Sequence, residues 1–396
     1  MDLAELGALL TPEGLRLLDA TGGIRTTAEA AAAVSRLRAA GHSPDLVSAV
    51  VGQARLRVKA EAKFGPFAER MLFTRAGLEQ ATRLSVAARH AARFRAAGCA
   101  RVADLGCGIG GDALGLAALG IEVDAVDTDE VTAAIAAYNL APFGSQVRVH
   151  HGTAEAFDTS AVDAVWLDPA RRTAGHSETS RLAAHEWSPP LEWVFALAGR
   201  MPAGVKLGPA FDRDALPADA EAQWISVDGS TIELVVWTGA LARPGVHRAA
   251  MVVRGEATHE LTAAADAADE PVRDLGAFVH EPDGAVIRAR LIGEVARELD
   301  AGMLAPGMAY LTGDAAVTSP FVSSFRVREQ LPSDVKGLAK ALRERGVGTL
   351  EIKKRGVDVD PAALRTKLKL KGEASATLLI TRIDSKRLTL LADRVG

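Results

Sequence analysis

The chain has 396 residues, of which 48% are hydrophobic and 24% are charged, so it can bury a large core and form two or three domains. This composition excludes a collagen-like, low-complexity or wholly disordered chain. No apolar run reaches the roughly 18 residues that a transmembrane helix needs. The acidic first residues also do not resemble a signal peptide, so we expect a cytoplasmic protein without a membrane partner.

Two cysteines, Cys99 and Cys107, are too few for a disulfide framework. The histidines are scattered, apart from His150 and His151, and form no cluster with zinc-ligand spacing. We therefore expect no metal.

The charge is distributed unevenly along the chain. Residues 331–396 contain 15 Lys/Arg and 8 Asp/Glu, a net charge of +7, whereas the rest of the chain has a net charge of −11. This asymmetry indicates an attached module that binds anions, although a solvated basic surface would also explain it.

The first 95 residues are predicted to be helical. Thr27 is expected to cap a helix that Gly41 ends, because Thr and Gly are typical of these two positions. Ser43 opens a second helix that stops at Gly65, and a further helix ends at Gly98.

Short apolar strands and Ala-rich helices then alternate from about residue 101 to residue 240. The pattern runs through VADL, DALGLAALG, IEVDAVD, DEVTAAIAAYNLAPFG, VRVHHG and VDAVWLD. Such alternation predicts an α/β fold with a doubly wound parallel sheet. AQWISVDG and STIELVVWTG should form a hairpin across Asp228-Gly229, and hence an antiparallel edge of that sheet.

The remaining chain is predicted to contain a connecting ferredoxin-like region and a small α+β module. The module, from residue 324 onwards, has the expected order strand, helix, strand, helix, strand, strand. The predicted domains are therefore a helical N-terminal region (1–95), a Rossmann-like domain (96–240), a connecting region (241–323) and a C-terminal module (324–396).

The segment DLGCGIGGD, residues 104–112, is the most informative motif. A strand that runs into glycines and then a helix lets a ligand approach the backbone and the amides at the helix start. Asp127, at the end of the next strand, can accept the hydrogens of two ribose hydroxyls. Gly106, Gly108 and Gly111 also fit a dinucleotide motif, but Asp104 would repel a pyrophosphate and attract a cationic ligand.

DLGCGIGGDALGLA and VDAVDTDE resemble the donor-binding motifs of class I methyltransferases, which use S-adenosyl-L-methionine. The resemblance implies that Asp104 lies beside the methionine part of the donor and that Asp127 binds its ribose. It also implies that the donor is lined by three glycines, namely Gly106, Gly108 and Gly110. Where relatives have an acid near the adenine this chain has Thr153, so Thr153 and the backbone of Ala154 are the candidate adenine contacts.

The fourth strand ends in DPARR, residues 168–172. Asp168 and Pro169 resemble the motif with which amino-methylating enzymes orient the target amine, but the second proline and the aromatic residue are absent. Asp168 could accept a hydrogen bond or a proton, while Arg171 and Arg172 could hold a phosphate. The motif also resembles that of RNA uracil methyltransferases, but no cysteine follows Cys107, so direct methyl transfer is expected. Alternatively, Asp168 caps a turn and both arginines are solvated.

Over most of its length the chain resembles a bacterial family of class I methyltransferases with a C-terminal THUMP-like domain. FTRAGLEQATRLSVAARHAARF, WLDPARR and GTLEIKKRGVDVDPAALRTKLKLKG carry the likeness. The core is also distantly similar to trimethylguanosine synthases, without their aromatic motif. THUMP domains are associated with RNA-modifying enzymes, so the resemblance implies an RNA partner. The candidate phosphate-binding residues of the tail are Lys353, Lys354, Arg355, Lys367 and Lys369.

Two alternatives remain open at this stage. The protein could methylate a small molecule or a protein, with a tail that is only structural or dimerising. It could also bind the donor without transferring a methyl group, because the motif at residues 168–172 is degenerate. The oligomeric state, the RNA species and the target atom do not follow from the sequence.

Overall fold

The computed structural model describes residues 1–171, 187–383 and 386–395. These residues form two compact units, of which the first contains Met1–Leu207 and Val236–Ala242 and the second contains Gly208–Val235 and Arg243–Gly396. The domain boundaries given above stay a prediction. No helix in the described ranges is both long and apolar enough to cross a membrane.

Six α-helices precede the first strand, so the N-terminal region is helical, as the sequence predicts. They are α1 (Leu3–Leu9), α2 (Pro12–Thr21), α3 (Thr27–Ala39), α4 (Pro44–Phe64), α5 (Arg75–Gln80) and α6 (Leu84–Ala96). The prediction that Thr27 caps α3 was wrong by one residue: Thr26 is the cap, because its side chain accepts from the Glu29 amide while the Glu29 side chain accepts from the Thr26 amide. Ser43 caps α4 as expected.

The first unit continues with alternating strands and helices, which confirms the predicted α/β pattern. The elements are β1 (Arg101–Leu105), α7 (Gly111–Ala118), β2 (Glu122–Asp127), α8 (Glu130–Leu140), β3 (Val147–His151), β4 (Ala164–Leu167), β5 (Ala170–Arg171), β6 (Trp187–Ser188), α9 (Leu191–Ala198) and β7 (Ala203–Leu207). The main strands lie in the order β7-β4-β1-β2-β3 and pair in parallel. β5 and β6 form a separate antiparallel pair.

An aromatic cluster forms the core between α6 and the sheet of the first unit. The Trp166 and Trp237 rings lie 5.8 Å apart, and Phe94 meets both edge-on. His90 lies against Trp166, with 4.5 Å between the ring centroids. Gly204 is required here, because a Cβ atom at that position would lie 2.7 Å from the two indole rings. This packing fixes the strands that carry the candidate site.

The second unit begins with strands that the sequence predicted only in part. They are β8 (Glu221–Val227), the first part of β9 (Ser230–Thr238), β10 (Arg248–Arg254) and β11 (Ala257–Ala263). Asp228 and Gly229 both have positive φ, as the predicted hairpin requires. The predicted edge was wrong, because β10 pairs in parallel with β8, and β11 then pairs antiparallel with β10.

The rest of the second unit contains a separate sheet in the order β13-β14-β12-β15-β18-β17-β16. Its elements are β12 (Phe278–Pro282), α10 (Gly284–Arg288), α11 (Ile292–Glu298), β13 (Gly302–Met303), β14 (Leu311–Gly313), β15 (Val322–Gln330), α12 (Val335–Glu344), β16 (Val347–Lys354), α13 (Pro361–Leu368), β17 (Ala374–Ile383) and β18 (Lys386–Val395). From β15 onwards, the order is that of the predicted α+β module. Its apolar core includes Leu338, Leu342, Leu364 and Leu378.

Candidate active site

The glycine loop joins β1 to α7 at the carboxyl edge of the first unit's parallel strands. The amides of Gly106 and Cys107 both donate to the carbonyl of Val126, at 2.9 and 3.0 Å, which draws the loop onto β2. Gly106 has a φ of +96°, and a Cβ atom there would lie 2.8 Å from the carbonyl oxygen of Asp168. The loop therefore contacts the end of β4 directly, and only glycine permits this approach.

Open space lies in front of the loop at Gly108. This residue has a φ of +56°, and nothing would lie within 4 Å of a Cβ atom there. Gly110 also has a positive φ and precedes α7. Backbone with left-handed glycines and open space before it is the arrangement that a closely approaching ligand needs.

Asp104 is a buried carboxylate whose oxygens have no ordinary hydrogen-bond partner within the described residues. Its side chain is 1% exposed, and neither oxygen has a hydrogen bond of ordinary geometry within the described residues. Burial, and then the carboxylates of Asp112 and Asp168, raise the pKa of Asp104 well above its usual range, while Lys206 and the Ala113 amide oppose that rise. An unpaired buried carboxylate is costly, so this position favours a cationic ligand.

Asp127 stands at the end of β2 beside the glycine loop. Its two carboxylate oxygens accept from the amides of Gly108 and Asp129, both at 2.9 Å. Burial raises the pKa of Asp127, and these two amides oppose the rise. Hydrogen bonds from the backbone fix the orientation of a carboxylate that remains half-buried.

Thr153 and Ala154 follow β3 and lie near the end of β2. The amide of Gly152, just before them, donates to the carbonyl of Asp127 at 3.0 Å. Thr153 is exposed, whereas Ala154 is buried at the start of a short 3-10 turn. Both residues therefore lie close to the end of β2, and their predicted contact with an adenine stays a prediction.

Two proteins of Mycobacterium tuberculosis, from strains CDC 1551 and H37Rv, align with almost the whole chain. Both are described as uncharacterized S-adenosylmethionine-dependent methyltransferases, and each is 33% identical over 368 residues, covering 89% of this chain and 97% of the relative. The chain belongs to this methyltransferase family.

Three family models match separate parts of this methyltransferase. They are a domain of unknown function at residues 2–60, a methyltransferase domain at residues 102–183 and a THUMP domain-like model at residues 322–394. The fold also matches a presumed methyltransferase from Porphyromonas gingivalis W83, with a TM-score of 0.71 and 20% sequence identity over 94% of this chain and 100% of that one. The expected methyltransferase fold with a THUMP-like module is confirmed.

The donor of this family fits the charge of the site. S-adenosylmethionine has a sulfonium group and an ammonium group, and Asp104 offers a buried, uncompensated carboxylate. A dinucleotide would bring a pyrophosphate toward the same carboxylate, which Coulomb repulsion disfavours. The open backbone at Gly108 supplies room for a ligand beside it.

Asp168 forms an ion pair that was not predicted from the sequence. Nζ of Lys206 donates to Oδ2 of Asp168 at 2.6 Å, and the lysine side chain is only 13% exposed. The signal was present in the sequence as a lysine inside the apolar strand AGVKL. Its significance depends on the pairing of β7 with β4, which local sequence does not reveal.

The other residues of the DPARR motif are only partly described. Pro169 is buried, and Arg171 belongs to β5, which pairs with β6 through Trp187. The side chain of Arg171 lies outside the described part of the structure, so its predicted role stays a prediction. Arg172 lies outside the described residues, so its predicted phosphate contact stays a prediction.

Asp112 is a second buried carboxylate near Asp104, and its contacts were also not predicted from the sequence. His90 Nδ1 lies 2.9 Å from Oδ1 of Asp112, and the Thr82 hydroxyl donates to Oδ2 of Asp112 at 2.7 Å. Burial favours the neutral acid, but the contacts with His90 and Thr82, together with the charge of Lys206, outweigh it and lower the pKa of Asp112. Asp112 is therefore an internally satisfied carboxylate, unlike Asp104.

Cys107 is an unsuitable nucleophile. The side chain is buried, and burial together with the negative charges of Asp104 and Asp127 raises the pKa of its thiol well above the usual range. The reactive thiolate is therefore strongly disfavoured.

The predicted basic residues of the C-terminal module divide into two groups. Lys353 and Arg355 pair with the carboxylate of Glu281, at 3.0 and 3.7 Å, so their charges are partly compensated. The other three are exposed and make no ion pair within the described part of the chain; they are Lys354, Lys367 and Lys369.

Among the residues that the structure describes, no cluster of His, Cys, Asp or Glu could hold a metal ion.

Proposed function

We propose that this methyltransferase acts on RNA by direct transfer of the methyl group, with no covalent cysteine intermediate. The observation that carries the RNA substrate is the THUMP-like match over residues 322–394, since THUMP domains are associated with RNA-modifying enzymes. The net charge of +7 on residues 331–396 supports it, because nucleic-acid affinity depends strongly on phosphate neutralisation.

The proposed donor site uses the carboxyl edge of the first unit. Asp104 receives the ammonium group of S-adenosylmethionine, and Asp127 accepts from the ribose hydroxyls. The loop glycines allow the donor to approach the backbone, while Thr153 and Ala154 lie beside the adenine. The donor supplies an activated methyl group; the protein's contribution is to position it and to exclude competing charges.

Asp168 is the proposed acceptor-binding residue. It lies against the glycine loop, because the carbonyl oxygen of Asp168 is the group that a Cβ atom on Gly106 would meet. Its carboxylate, held by Lys206, can accept a hydrogen bond from an amino group of the substrate. The acceptor nitrogen then attacks the methyl carbon, and the carbon–sulfur bond breaks with its electrons left on sulfur, which gives S-adenosylhomocysteine. The Asp168 carboxylate accepts the proton that the nitrogen loses. The buried thiol of Cys107 supports direct transfer.

The proposed RNA-binding surface consists of Lys354, Lys367 and Lys369, which are exposed and unpaired within the described ranges. Phosphate contacts of this type position an RNA without reading its sequence. Each lysine that neutralises a phosphate should steepen the dependence of log affinity on log salt by roughly 0.7–0.9.

The test is tritium transfer from labelled S-adenosylmethionine to total RNA from cells that lack this gene. We expect label that ribonuclease releases, and loss of transfer in Asp168→Asn but not in Asp219→Asn, a control at an exposed acid in the second unit. Label in protein or small molecules alone would contradict the RNA substrate. Donor binding without transfer to any fraction would indicate the inactive donor-binding alternative.

A further inference from the structure

The side chains of Asp168 and Lys206 lie side by side because their strands are in register. β4 pairs in parallel with β7, with Leu167 opposite Val205, so the next residue of each strand occupies the same level. The resulting ion pair has a 2.6 Å separation and is partly shielded from water. Shielding makes such a charge interaction stronger than one at the surface.

Besides Asp127, three carboxylates lie at this edge of the sheet, and they differ in their partners. Asp112 accepts from Thr82 and contacts His90, and Asp168 pairs with Lys206. Asp104 is the carboxylate without a hydrogen bond of ordinary geometry within the described residues.

We propose that Lys206 is a positioning residue that divides these carboxylates between two cations: its own ammonium group holds Asp168, and Asp104 is thereby reserved for the methyl donor. This inference rests on the proposed assignment of Asp104 to the donor's ammonium group. Without Lys206, Asp168 would lose this ion pair, and the donor's ammonium group could then interact with either carboxylate.

The arrangement has a consequence for the pH dependence of donor binding. Asp104 must be ionised to receive a cation, and its pKa is raised by burial, by Asp112 and by Asp168, and lowered by Lys206. The buried thiol of Cys107 also faces Asp104 and stays neutral. Removing the Lys206 charge should therefore raise the pKa of Asp104 further, so that binding is lost at a higher pH.

The same substitution removes a positive charge that repels the donor. As the pH rises and Asp104 becomes ionised, the loss of Lys206 should leave donor affinity equal or slightly higher. At the acidic end, the unfavourable ionisation of Asp104 should dominate and weaken binding. The two effects have opposite signs, so the difference in affinity between variant and wild type should shrink or reverse as the pH rises.

The experiment is calorimetric titration of the full chain with S-adenosylhomocysteine and S-adenosylmethionine, at several values between about pH 5 and pH 9. The proteins are wild type, Lys206→Met, Lys206→Arg, Asp168→Asn and the Lys206→Met/Asp168→Asn double variant. The ligand's own amino group titrates identically in every series, so comparison at each pH isolates the protein groups.

We expect Lys206→Met to bind at least about tenfold more weakly than wild type at the acidic end, a difference of about 1.4 kcal/mol, and within about threefold at the alkaline end. Lys206→Arg should follow wild type. The double variant should regain acidic binding, because removal of the Asp168 charge compensates for the loss of the lysine.

Identical pH curves for Lys206→Met and wild type would overturn the proposal, as would a double variant as impaired as Lys206→Met. If Lys206→Met does not fold, Asp168→Asn alone provides the test. This variant should keep its affinity for the donor at a lower pH than wild type does, and an unchanged pH dependence of donor affinity would overturn the proposal. These results do not involve RNA, so a failure of the RNA substrate would appear only in the tritium assay.

Discussion

Nδ1 of His90 lies 2.9 Å from Oδ1 of Asp112, and this buried pair joins α6 to the first turn of α7. Asp112 sits where the amides at the helix start favour a negative charge. The pair therefore ties the helical N-terminal region to the element that begins directly after the glycine loop.

Replacing His90 with Ala should lower the free energy of unfolding by about 3–5 kcal/mol, because it leaves a buried carboxylate without this partner.

The pKa of Asp112 is lowered in the folded protein, so the stabilising effect of its ionised carboxylate is present above the usual carboxylate range and is lost as the pH falls through the lowered folded pKa. Urea unfolding of wild type and Asp112→Asn at acidic pH checks this. An equally steep acidic loss of stability in both proteins would contradict the account.

Asp104→Asn should stabilise the protein in the absence of donor. A carboxyl group whose folded pKa is raised makes the folded state less stable as the pH rises from the unfolded pKa toward the folded one. Removing the charge should therefore raise the unfolding free energy at neutral pH by about 1–3 kcal/mol, because a buried charged group costs more than a neutral polar one in the same place. Donor binding should be lost in the same variant. Urea unfolding and calorimetry measure the two effects, and a destabilised variant that still binds donor would oppose this interpretation.

Gly106→Ala should disturb both the loop and Asp168. The new Cβ atom would lie 2.8 Å from the carbonyl oxygen of Asp168, at a φ of +96° that L-residues rarely adopt. We expect the unfolding free energy to fall by about 1–3 kcal/mol and donor affinity to fall at least about tenfold.

Gly52→Ala is the matched control for that substitution. Gly52 lies inside α4 with nothing within 4 Å of the added Cβ atom, so Ala should raise stability by about 0.5–1 kcal/mol and leave binding unchanged. Thermal unfolding and titration of both variants give the comparison. Similar effects of the two substitutions would show that the close approach of the loop to Asp168 is unimportant.

Asn139 connects the segment before α5 to the glycine loop. Its side chain accepts from the Leu72 amide at 2.8 Å and donates to the carbonyls of Leu72 and Ile109, at 3.0 and 2.9 Å. Asn139→Ala would leave these buried backbone groups unpaired, at a cost of about 2–4 kcal/mol. Hydrogen exchange should show faster exchange at Leu72 and in the glycine loop, with no change at Phe73, whose amide donates to Gln53. Unchanged protection at Leu72 would contradict this role.

Replacing Lys354, Lys367 and Lys369 with Ala should weaken RNA binding. The slope of log affinity against log salt concentration should also become shallower by about 2–3, since each lysine is assigned one phosphate. The control replaces three exposed basic residues of the N-terminal helices, Arg36, Arg38 and Lys59. Filter-binding assays at several salt concentrations compare the two triple variants. Equal slopes would show that the module's lysines do not contact RNA.

Local signals predicted most of the fold. Ser43 and Gly65 bound α4 as their capping chemistry requires, and the alternation after residue 101 predicted the parallel strands. The error at Thr27 arose because adjacent threonines are equivalent as caps until the reciprocal bond from Glu29 selects Thr26. The prediction that β8 lies at the edge of the sheet was wrong, because a hairpin motif does not reveal that another strand, here β10, pairs with the free side of β8.

The residues of the candidate site that lie within one sequence motif could be predicted. Those that meet only through the pairing of distant strands or helices could not. Asp104, the glycines and Asp127 lie within a short segment with its own signature. Lys206 is 38 residues from Asp168 and meets it only through the register of β4 and β7. The same holds for His90, which a helix face alone would assign to the apolar core.

The most direct test of the central claim is titration of the full chain with S-adenosylmethionine and S-adenosylhomocysteine, beside NADH and the variants Asp104→Ala and Asp127→Ala. The account predicts one donor per chain, no binding of NADH, and affinities at least about tenfold weaker in both variants. Binding of NADH in place of the donor, or donor binding that neither substitution weakens, would contradict it.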